Sequence, residues 1–254
     1  MNAPETEKMP DAVLRSLDDG IFPPHLLRNR GAFSAQEQQR LLRSKAVLVG
    51  LGGLGGLVFE QLLRAGVGSV LACDPDRFEE SNLNRQILAT TKTLAMSKAD
   101  AALERAWQIN PAAQVLCLAR PFAEDMLSGA DIVIDALGGA EHRAELLRTA
   151  HKHGLPVVSA GVAGWTALVN TSLPENPAGL GSIMGRLHSG TSDEVALGTP
   201  MPIVLLAAAL QAAEALRLLC GQAPALAGKL LLADLTTMRF EVYPLTAARQ
   251  EETV

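Results

Sequence analysis

The sequence predicts an α/β fold, in which a doubly wound, mainly parallel sheet is followed by an antiparallel C-terminal extension. Over residues 46–160, short apolar segments alternate with helix-length segments and are joined by short links, which is the pattern of parallel strands connected by helices. Over residues 165–173, apolar and polar residues alternate, which is typical of an antiparallel strand. A chain of 254 residues with 48% apolar content can bury this core within one domain.

Short apolar runs, several of them rich in β-branched residues, predict the strands of the parallel part over residues 46–49, 69–73, 114–118, 131–135 and 156–160. The helices between these strands are predicted over residues 57–65, 98–107 and 141–153. Ser34 and Glu37 form a capping box for a helix that precedes the first strand. Gly66 and Ser97 stand where a helix ends and where the next one begins.

The C-terminal part begins with a stretch over residues 174–200 that is rich in Gly, Pro and Ser, and a loop of this length is usually functional or mobile. A long apolar helix follows and continues to Leu219. Residues 229–234 and 238–243 supply two closing strands around a turn.

Composition indicates the domain boundaries and gives no indication of a membrane span or a nucleic-acid surface. Residues 1–24 are polar and contain prolines, so we predict a flexible N-terminal tail, one domain over 25–245 and a C-terminal tail over 246–254. The N-terminus lacks the pattern of a signal peptide, and no stretch of about 18 uncharged apolar residues occurs, so we expect a cytoplasmic protein without a membrane span. A net charge of −5 gives no indication of a nucleic-acid surface.

A glycine-rich segment directly after the first strand predicts a nucleotide site. Gly50, Gly52 and Gly55 have the G-x-G-x-x-G spacing of Rossmann-like sheets. Such glycines permit a tight turn and a close backbone approach to phosphate, and the N-terminus of the next helix favours anions. Asp74 follows the second strand. It lies ~20 residues after the glycines, where these folds place a ribose-binding acid.

The residues that follow are more specific than the glycines, because D-x-D, S-N-L-x-R-Q and a lysine that opens the next helix occur in this order. They are Asp74, Asp76, Asn82, Arg85, Gln86 and Lys98. This block resembles the ThiF/MoeB/HesA family of ubiquitin-activating-enzyme-like adenylyltransferases, and a Q-A-x-E-x-L segment from Gln211 extends the resemblance over roughly residues 25–245.

The resemblance implies that the chain binds ATP with Mg²⁺, attaches AMP to the C-terminal carboxylate of a small ubiquitin-like sulfur-carrier protein ending in Gly-Gly, and releases pyrophosphate. It also implies a homodimer, and a crossover loop over about 174–200 that covers the carrier's tail. The residues expected to bind the nucleotide are Gly52, Gly53, Gly55, Asp74, Asp76, Asn82 and Gln86.

Three cationic residues are the expected catalytic groups. Arg85 and Lys98 can offset charge that develops on phosphate oxygens, which a dinucleotide dehydrogenase would not need beyond its ribose acid. Arg30 matches the second arginine of a family segment, although Leu27 and Gly31 replace two of its other residues. In relatives this arginine reaches the phosphates, often across a dimer interface. An exposed surface arginine is the open alternative.

One position departs from the family pattern. Relatives carry a second acid in a D-x-x-D-N turn that helps to hold Mg²⁺, and Gly138 stands in its place. We rank Asp135 first and Glu141 second as the replacement carboxylate. No zinc site is expected, because the three cysteines form no C-x-x-C pair. Two alternatives stay open, a catalytically weak or inactive nucleotide-binding partner subunit and an NAD(P)-dependent oxidoreductase.

Overall fold

A computed structural model describes residues 11–138, 142–179 and 196–245, and within them eight strands form a single sheet in the order β3-β2-β1-β4-β5-β6-β7-β8. The strands are β1 (Lys45–Val49), β2 (Ser69–Cys73), β3 (Gln114–Leu118), β4 (Ile132–Asp135), β5 (Val157–Ala163), β6 (Thr166–Ser172), β7 (Lys229–Asp234) and β8 (Arg239–Pro244). Strands β1 to β5 pair in parallel, whereas β5 to β8 pair antiparallel. The predicted fold class, with its Rossmann-like sheet and antiparallel extension, is confirmed.

Helices cover both sides of the parallel part. They are α1 (Asp11–Asp18), α2 (Ala35–Arg43), α3 (Gly53–Ala65), α4 (Lys98–Ile109), α5 (Arg143–Lys152) and α6 (Met201–Leu219). The side covered by α3, α4 and α6 is called the α3 face below, and the side covered by α5 and the 3₁₀ turn Glu124–Leu127 is called the α5 face. Each face has its own apolar core, because the strands are buried on both sides.

The segment predicted as a flexible tail over residues 1–24 contains helix α1 and therefore differs from the prediction. Leu17 on this helix is fully buried and packs with Leu26 and Leu42. Gln39 on α2 donates hydrogen bonds to the carbonyl of Leu14 and to the Asp18 carboxylate. An eight-residue helix has little stability of its own, so packing on α2 determines its structure. Residues 1–10, the C-terminal tail over 246–254 and most of the predicted crossover loop lie outside the described residues.

Helix α6 is, within the described ranges, the one helix that is long and apolar enough to cross a bilayer, with a mean hydropathy of 1.6. It packs against α3 and against strands β5 and β6. Its Glu214 is buried and accepts hydrogen bonds from Thr171 and from the backbone N–H groups of Ala225 and Leu226. These contacts identify α6 as a core helix, because a buried carboxylate needs such partners.

Candidate functional site

The glycine turn between β1 and α3 brings the backbone to the carboxyl edge of the sheet. Gly50 has a φ of +99°, and a Cβ atom there would lie 2.5 Å from the carbonyl oxygen of Ala136. A Cβ atom on Gly55 would overlap the carbonyl oxygen of Gly50. Gly55 therefore permits close packing of helix and strand, whereas Gly52 and Gly53 line the cavity at the start of α3, where helical N–H groups are free.

A cavity of about 800 Å³ lies above the carboxyl ends of the parallel strands, and it is called the edge cavity below. It extends from the α3 face across the sheet edge to the α5 face. The residues on the α3 face that matter here are Gly52, Gly53, Arg85, Gln86 and Lys98, and those on the α5 face are Phe122, Leu137, His142, Glu145 and Leu146. Ligands of doubly wound sheets bind at this edge.

Asp74 stands at the sheet edge between these two faces, directly after β2. One of its carboxylate oxygens accepts a hydrogen bond of 2.7 Å from the backbone N–H of Leu51, and the other accepts one of 2.9 Å from Asp76. Each oxygen can accept a second hydrogen bond, because an ionised carboxylate has about four lone-pair sites. Asp74 is thus a fixed acceptor in the wall of the edge cavity, and its role as a ribose-binding acid stays a prediction.

Lys98 is the first residue of α4 and is held between two acids. Its Nζ lies 2.8 Å from Asp76 Oδ2 and 3.7 Å from Asp74 Oδ2, and its side chain is only 8% exposed. The ammonium group and both aspartates line the edge cavity. The pairs fix Lys98 beside Asp74, whose carboxylate also binds the backbone of the glycine turn at Leu51.

Arg85 is the second cation that lines the edge cavity. Its Cγ lies close to Gly53, where a Cβ atom would be 3.6 Å away. Its Nη1 donates hydrogen bonds to the carbonyl of Ser81 at 2.9 Å and to Asn84 Oδ1 at 2.8 Å. Within the described chain this guanidinium has no carboxylate partner, so it can turn toward an anion at the start of α3.

Gln86 lies next to the glycine turn and has an unused acceptor. Its side chain is buried, its Nε2 is close to Gly52, and its Oε1 finds no hydrogen-bond partner among the described residues. A buried polar atom is normally paired, so a ligand or a bound water is the expected partner of this amide oxygen. Gln86 was predicted to bind the nucleotide, and its position in the wall of the edge cavity is compatible with that role.

Two predicted site residues lie away from the edge cavity of this chain. The Oδ1 atom of Asn82 accepts a hydrogen bond of 3.1 Å from the backbone of Glu79, so this side chain shapes the loop that presents Arg85. Asn82 is absent from the cavity wall of this chain, and its role in binding the nucleotide stays a prediction. Arg30 is exposed beside the 3₁₀ turn Pro24–Asn29, at the surface and outside the cavity wall.

The geometry of Asp135 contradicts its prediction as a magnesium ligand. Its side chain is 2% exposed, and Oδ2 lies 2.8 Å from Nη1 of the buried Arg143. Its Oδ1 accepts a hydrogen bond from the backbone N–H of Leu137, whose carbonyl in turn accepts one from Arg143. The carboxylate therefore fixes the turn after β4 beneath the edge cavity, and Asp135 does not line that cavity.

Gly138 leaves the magnesium site that the resemblance implies without its second acid. Gly138 lines the edge cavity but has no ligand atom in its side chain, and Glu141 lies outside the described residues. In residues 11–138, 142–179 and 196–245, no group of three or more His, Cys, Asp or Glu side chains is arranged to hold a metal ion. Gly138 and the buried, paired Asp135 therefore do not form the magnesium site in the form in which it was predicted.

Cys73 is the cysteine that lines the edge cavity, but it is a poor nucleophile. Burial, together with the neighbouring Asp74 carboxylate, raises the pKa of its thiol to about 12. Burial likewise raises the pKa of Cys117 to about 12. Both thiols are protonated at neutral pH, so chemistry in this cavity has to proceed without a cysteine thiolate.

Sequence reasoning missed His142 and Glu145, which line the cavity on the α5 face. Both stand at the first turn of α5, three residues apart, and they match no motif. Their position in the sequence could have indicated this role, because they follow the carboxyl end of β4. The first turn of the helix after a parallel strand lies at the carboxyl edge of the sheet, where ligands bind.

The chain is similar to known proteins over most of its length. The sequence pattern of the ThiF family matches residues 26–254. The chain is 31% identical over 203 residues to the sulfur carrier protein ThiS adenylyltransferase of Escherichia coli, which covers 78% of this chain and 80% of that protein. It is 29% identical over 212 residues to the SAMP-activating enzyme E1 of Haloferax volcanii, which covers 82% and 78% of the two chains.

Among solved structures, the chain is similar to one described as E. coli MccB with ATP. The TM-score is 0.72 at 20% identity, and the match covers 90% of this chain and 73% of that one. This likeness supports the fold, while the sequence match identifies the family. With its glycine turn, its D-x-D acids and its cavity at the sheet edge, the chain belongs to the ThiF family.

Proposed function

We propose that the protein catalyses the ATP-dependent adenylation of the C-terminal carboxylate of a small ubiquitin-like sulfur-carrier protein, with release of pyrophosphate. The observation that carries this proposal is the position of Arg85 and Lys98 in one cavity with Asp74 and the start of α3. Relatives named as adenylyltransferases of sulfur carrier proteins support the class of reaction.

The two faces of the edge cavity suggest how ATP is placed. The triphosphate lies at the start of α3, where free N–H groups, Arg85 and Lys98 favour anions. The ribose hydroxyls donate to Asp74 at the sheet edge. The base then lies on the α5 face, where the wall is mainly apolar.

The carrier's carboxylate reaches the α-phosphate from the side of α6. There the cavity wall contains Val162, Gly198, Thr199 and Val204. A tail ending in Gly-Gly has no side chains that would prevent its entry along this wall. A homodimer, as the resemblance implies, would allow Arg30 of one copy to contact the phosphates in the other.

The reaction needs no nucleophile from the protein. One carboxylate oxygen of the carrier attacks the α-phosphorus, a new C–O–P bond forms, and the bond to the bridging oxygen breaks so that pyrophosphate leaves with the electron pair. Arg85 and Lys98 stabilise the negative charge on the phosphate oxygens during this displacement, and the cavity holds the two reactants in line. The protonated state of Cys73 agrees with this scheme.

Nucleotide preference tests the proposal against an NAD(P)-dependent oxidoreductase. We expect ATP to bind at least about tenfold more tightly than NAD, because the diester of NAD lacks the terminal phosphates that Arg85 and Lys98 can pair with. Isothermal titration calorimetry of both nucleotides measures this ratio. As a control, Arg43→Ala removes an exposed arginine outside the edge cavity and should leave the ratio unchanged. Tighter binding of NAD than of ATP would contradict the proposed function.

A further inference from the structure

The loop over residues 79–94, which carries Arg85, is closed by two short backbone segments. These segments are residues 76–78 and residues 95–98, and together they are called the loop base below. An antiparallel bridge joins them, and backbone hydrogen bonds of 2.9 to 3.0 Å cross between them. Lys98 is the last residue of the loop base, so its position depends on how these two segments pair.

Lys98 is joined to the opposite segment of the loop base at both ends of its structure. Its backbone N–H donates to the carbonyl oxygen of Asp76 at 3.0 Å, and its Nζ lies 2.8 Å from the carboxylate of the same residue. A shift of the loop base therefore moves the ammonium group in the edge cavity. A misplacement of about 1 Å at a reacting group can cost about 10²-fold in rate.

Ala95 has an unfavourable backbone conformation in the loop base. Its φ is +65°, in the left-handed region. In this region the Cβ atom of an L-residue lies too close to the following carbonyl oxygen, so residues other than glycine rarely adopt it. The intrinsic preference of Ala95 therefore opposes the closed loop base, and other contacts have to hold this residue in place.

Arg77 and Phe78 hold the two polar backbone groups of Ala95. Nη1 of Arg77 donates a hydrogen bond of 2.8 Å to the Ala95 carbonyl oxygen, and a charged donor makes a stronger bond than a neutral one. The Ala95 N–H donates to the carbonyl oxygen of Phe78 at 2.9 Å, and Phe78 is buried in the core of the α3 face. The Arg77 side chain itself is exposed and lies outside the wall of the edge cavity, so it can affect the cavity only through other residues.

We propose that Arg77 is a positioning residue for Lys98, because it holds Ala95 in the left-handed conformation and thereby keeps the loop base closed. The inference rests on the proposed function where it concerns the rate of adenylation. Without the guanidinium group, Ala95 relaxes toward negative φ, the two segments separate and Asp76 no longer fixes Lys98. In Ala95→Gly the left-handed conformation has no Cβ penalty, so the closed loop base no longer depends on Arg77.

The test begins with Arg77→Met, which keeps an apolar stem and removes the hydrogen-bond donor. The Phe78 amide donates across the loop base to the Met96 carbonyl, so its hydrogen exchange measures closure directly. We expect this amide to exchange about tenfold faster than in the wild type, and ATP–pyrophosphate exchange to be about tenfold slower. Arg43→Met, at an exposed arginine outside the edge cavity, is the matched control and should change neither rate.

A second substitution separates positioning from a general loss of stability. Arg77→Met combined with Ala95→Gly should return both rates to within about threefold of the wild type, because the left-handed conformation is then favourable without the guanidinium group. Arg77→Met combined with Ala112→Gly should not, since Ala112 is exposed, lies outside the loop base and has no positive φ. Circular dichroism checks that each variant is folded.

The outcomes separate this inference from the proposed function. Wild-type protection of the Phe78 amide in Arg77→Met would overturn the inference, and so would a failure of Ala95→Gly to restore protection. Loss of protection with an unchanged rate of pyrophosphate exchange would show that the loop base does not position Lys98. If the wild type itself exchanges no pyrophosphate, the proposed adenylation fails. The inference then stands only if ATP affinity, measured by calorimetry, falls in Arg77→Met and returns with Ala95→Gly.

Discussion

Replacing Arg85 with alanine is expected to slow ATP–pyrophosphate exchange by about 10²–10³-fold, which is the typical cost of removing one preorganised donor from a charged transition state. In the proposed reaction, the side chain leaves its contacts with Ser81 and Asn84 and turns toward the α-phosphate. Its loss therefore removes charge stabilisation where pyrophosphate departs. The measurement is the exchange rate of labelled pyrophosphate into ATP at saturating nucleotide.

Two further variants show whether the effect belongs to the guanidinium group. Arg85→Lys should recover only part of the rate, because an ammonium group lacks the planar fork that binds two phosphate oxygens at once. Arg43→Ala, at an exposed position outside the edge cavity, should exchange at the wild-type rate. A near-normal rate for Arg85→Ala would show that Arg85 is a surface charge without a catalytic role.

Replacing Arg143 with methionine is expected to lower the free energy of unfolding by about 3–5 kcal/mol, because it leaves the buried Asp135 carboxylate without its charged partner. Urea denaturation, followed by circular dichroism, measures this change. Combining Arg143→Met with Asp135→Asn should restore part of the lost stability, since the second substitution removes the uncompensated charge.

This experiment also tests the correction at Asp135. A structural acid predicts that Asp135→Asn lowers stability and leaves the affinity for Mg²⁺–ATP unchanged in the folded fraction. A magnesium ligand would give the opposite result, with near-normal stability and a clear loss of metal affinity. A loss of less than about 1 kcal/mol in Arg143→Met would contradict the ion-pair interpretation.

The parts of this site that could be predicted from sequence are those whose geometry is local. The glycine turn follows directly from the end of β1, and a close approach of Gly55 to Gly50 leaves no room for a side chain. The backbone N–H of Asp76 binds the Asp74 carboxylate two residues earlier, and that acid lies beside Lys98 because both stand at the carboxyl edge of the sheet. A sequence motif with fixed spacing can therefore predict the glycine turn and the position of these charged residues.

Other features depend on tertiary packing and could not be predicted in this way. Asp135 is paired with Arg143, eight residues later on α5, and the position of Arg143 depends on how α5 packs. The same packing places Glu145 in the cavity wall, although nothing in its neighbourhood marks it as a ligand residue. Helix α1 was missed because its few apolar residues become buried only against α2 and the turn before it.

The most direct test of the adenylation proposal is ATP–pyrophosphate exchange with small carrier proteins that end in Gly-Gly. Each carrier is compared with a form that lacks its last two residues, so that the fold of the carrier is kept while the reacting tail is removed. We expect exchange with an intact carrier and none with the shortened one, since the terminal carboxylate is the nucleophile. If ATP binds but no intact carrier supports exchange, the chain is a non-catalytic nucleotide-binding subunit and the proposed adenylation is wrong.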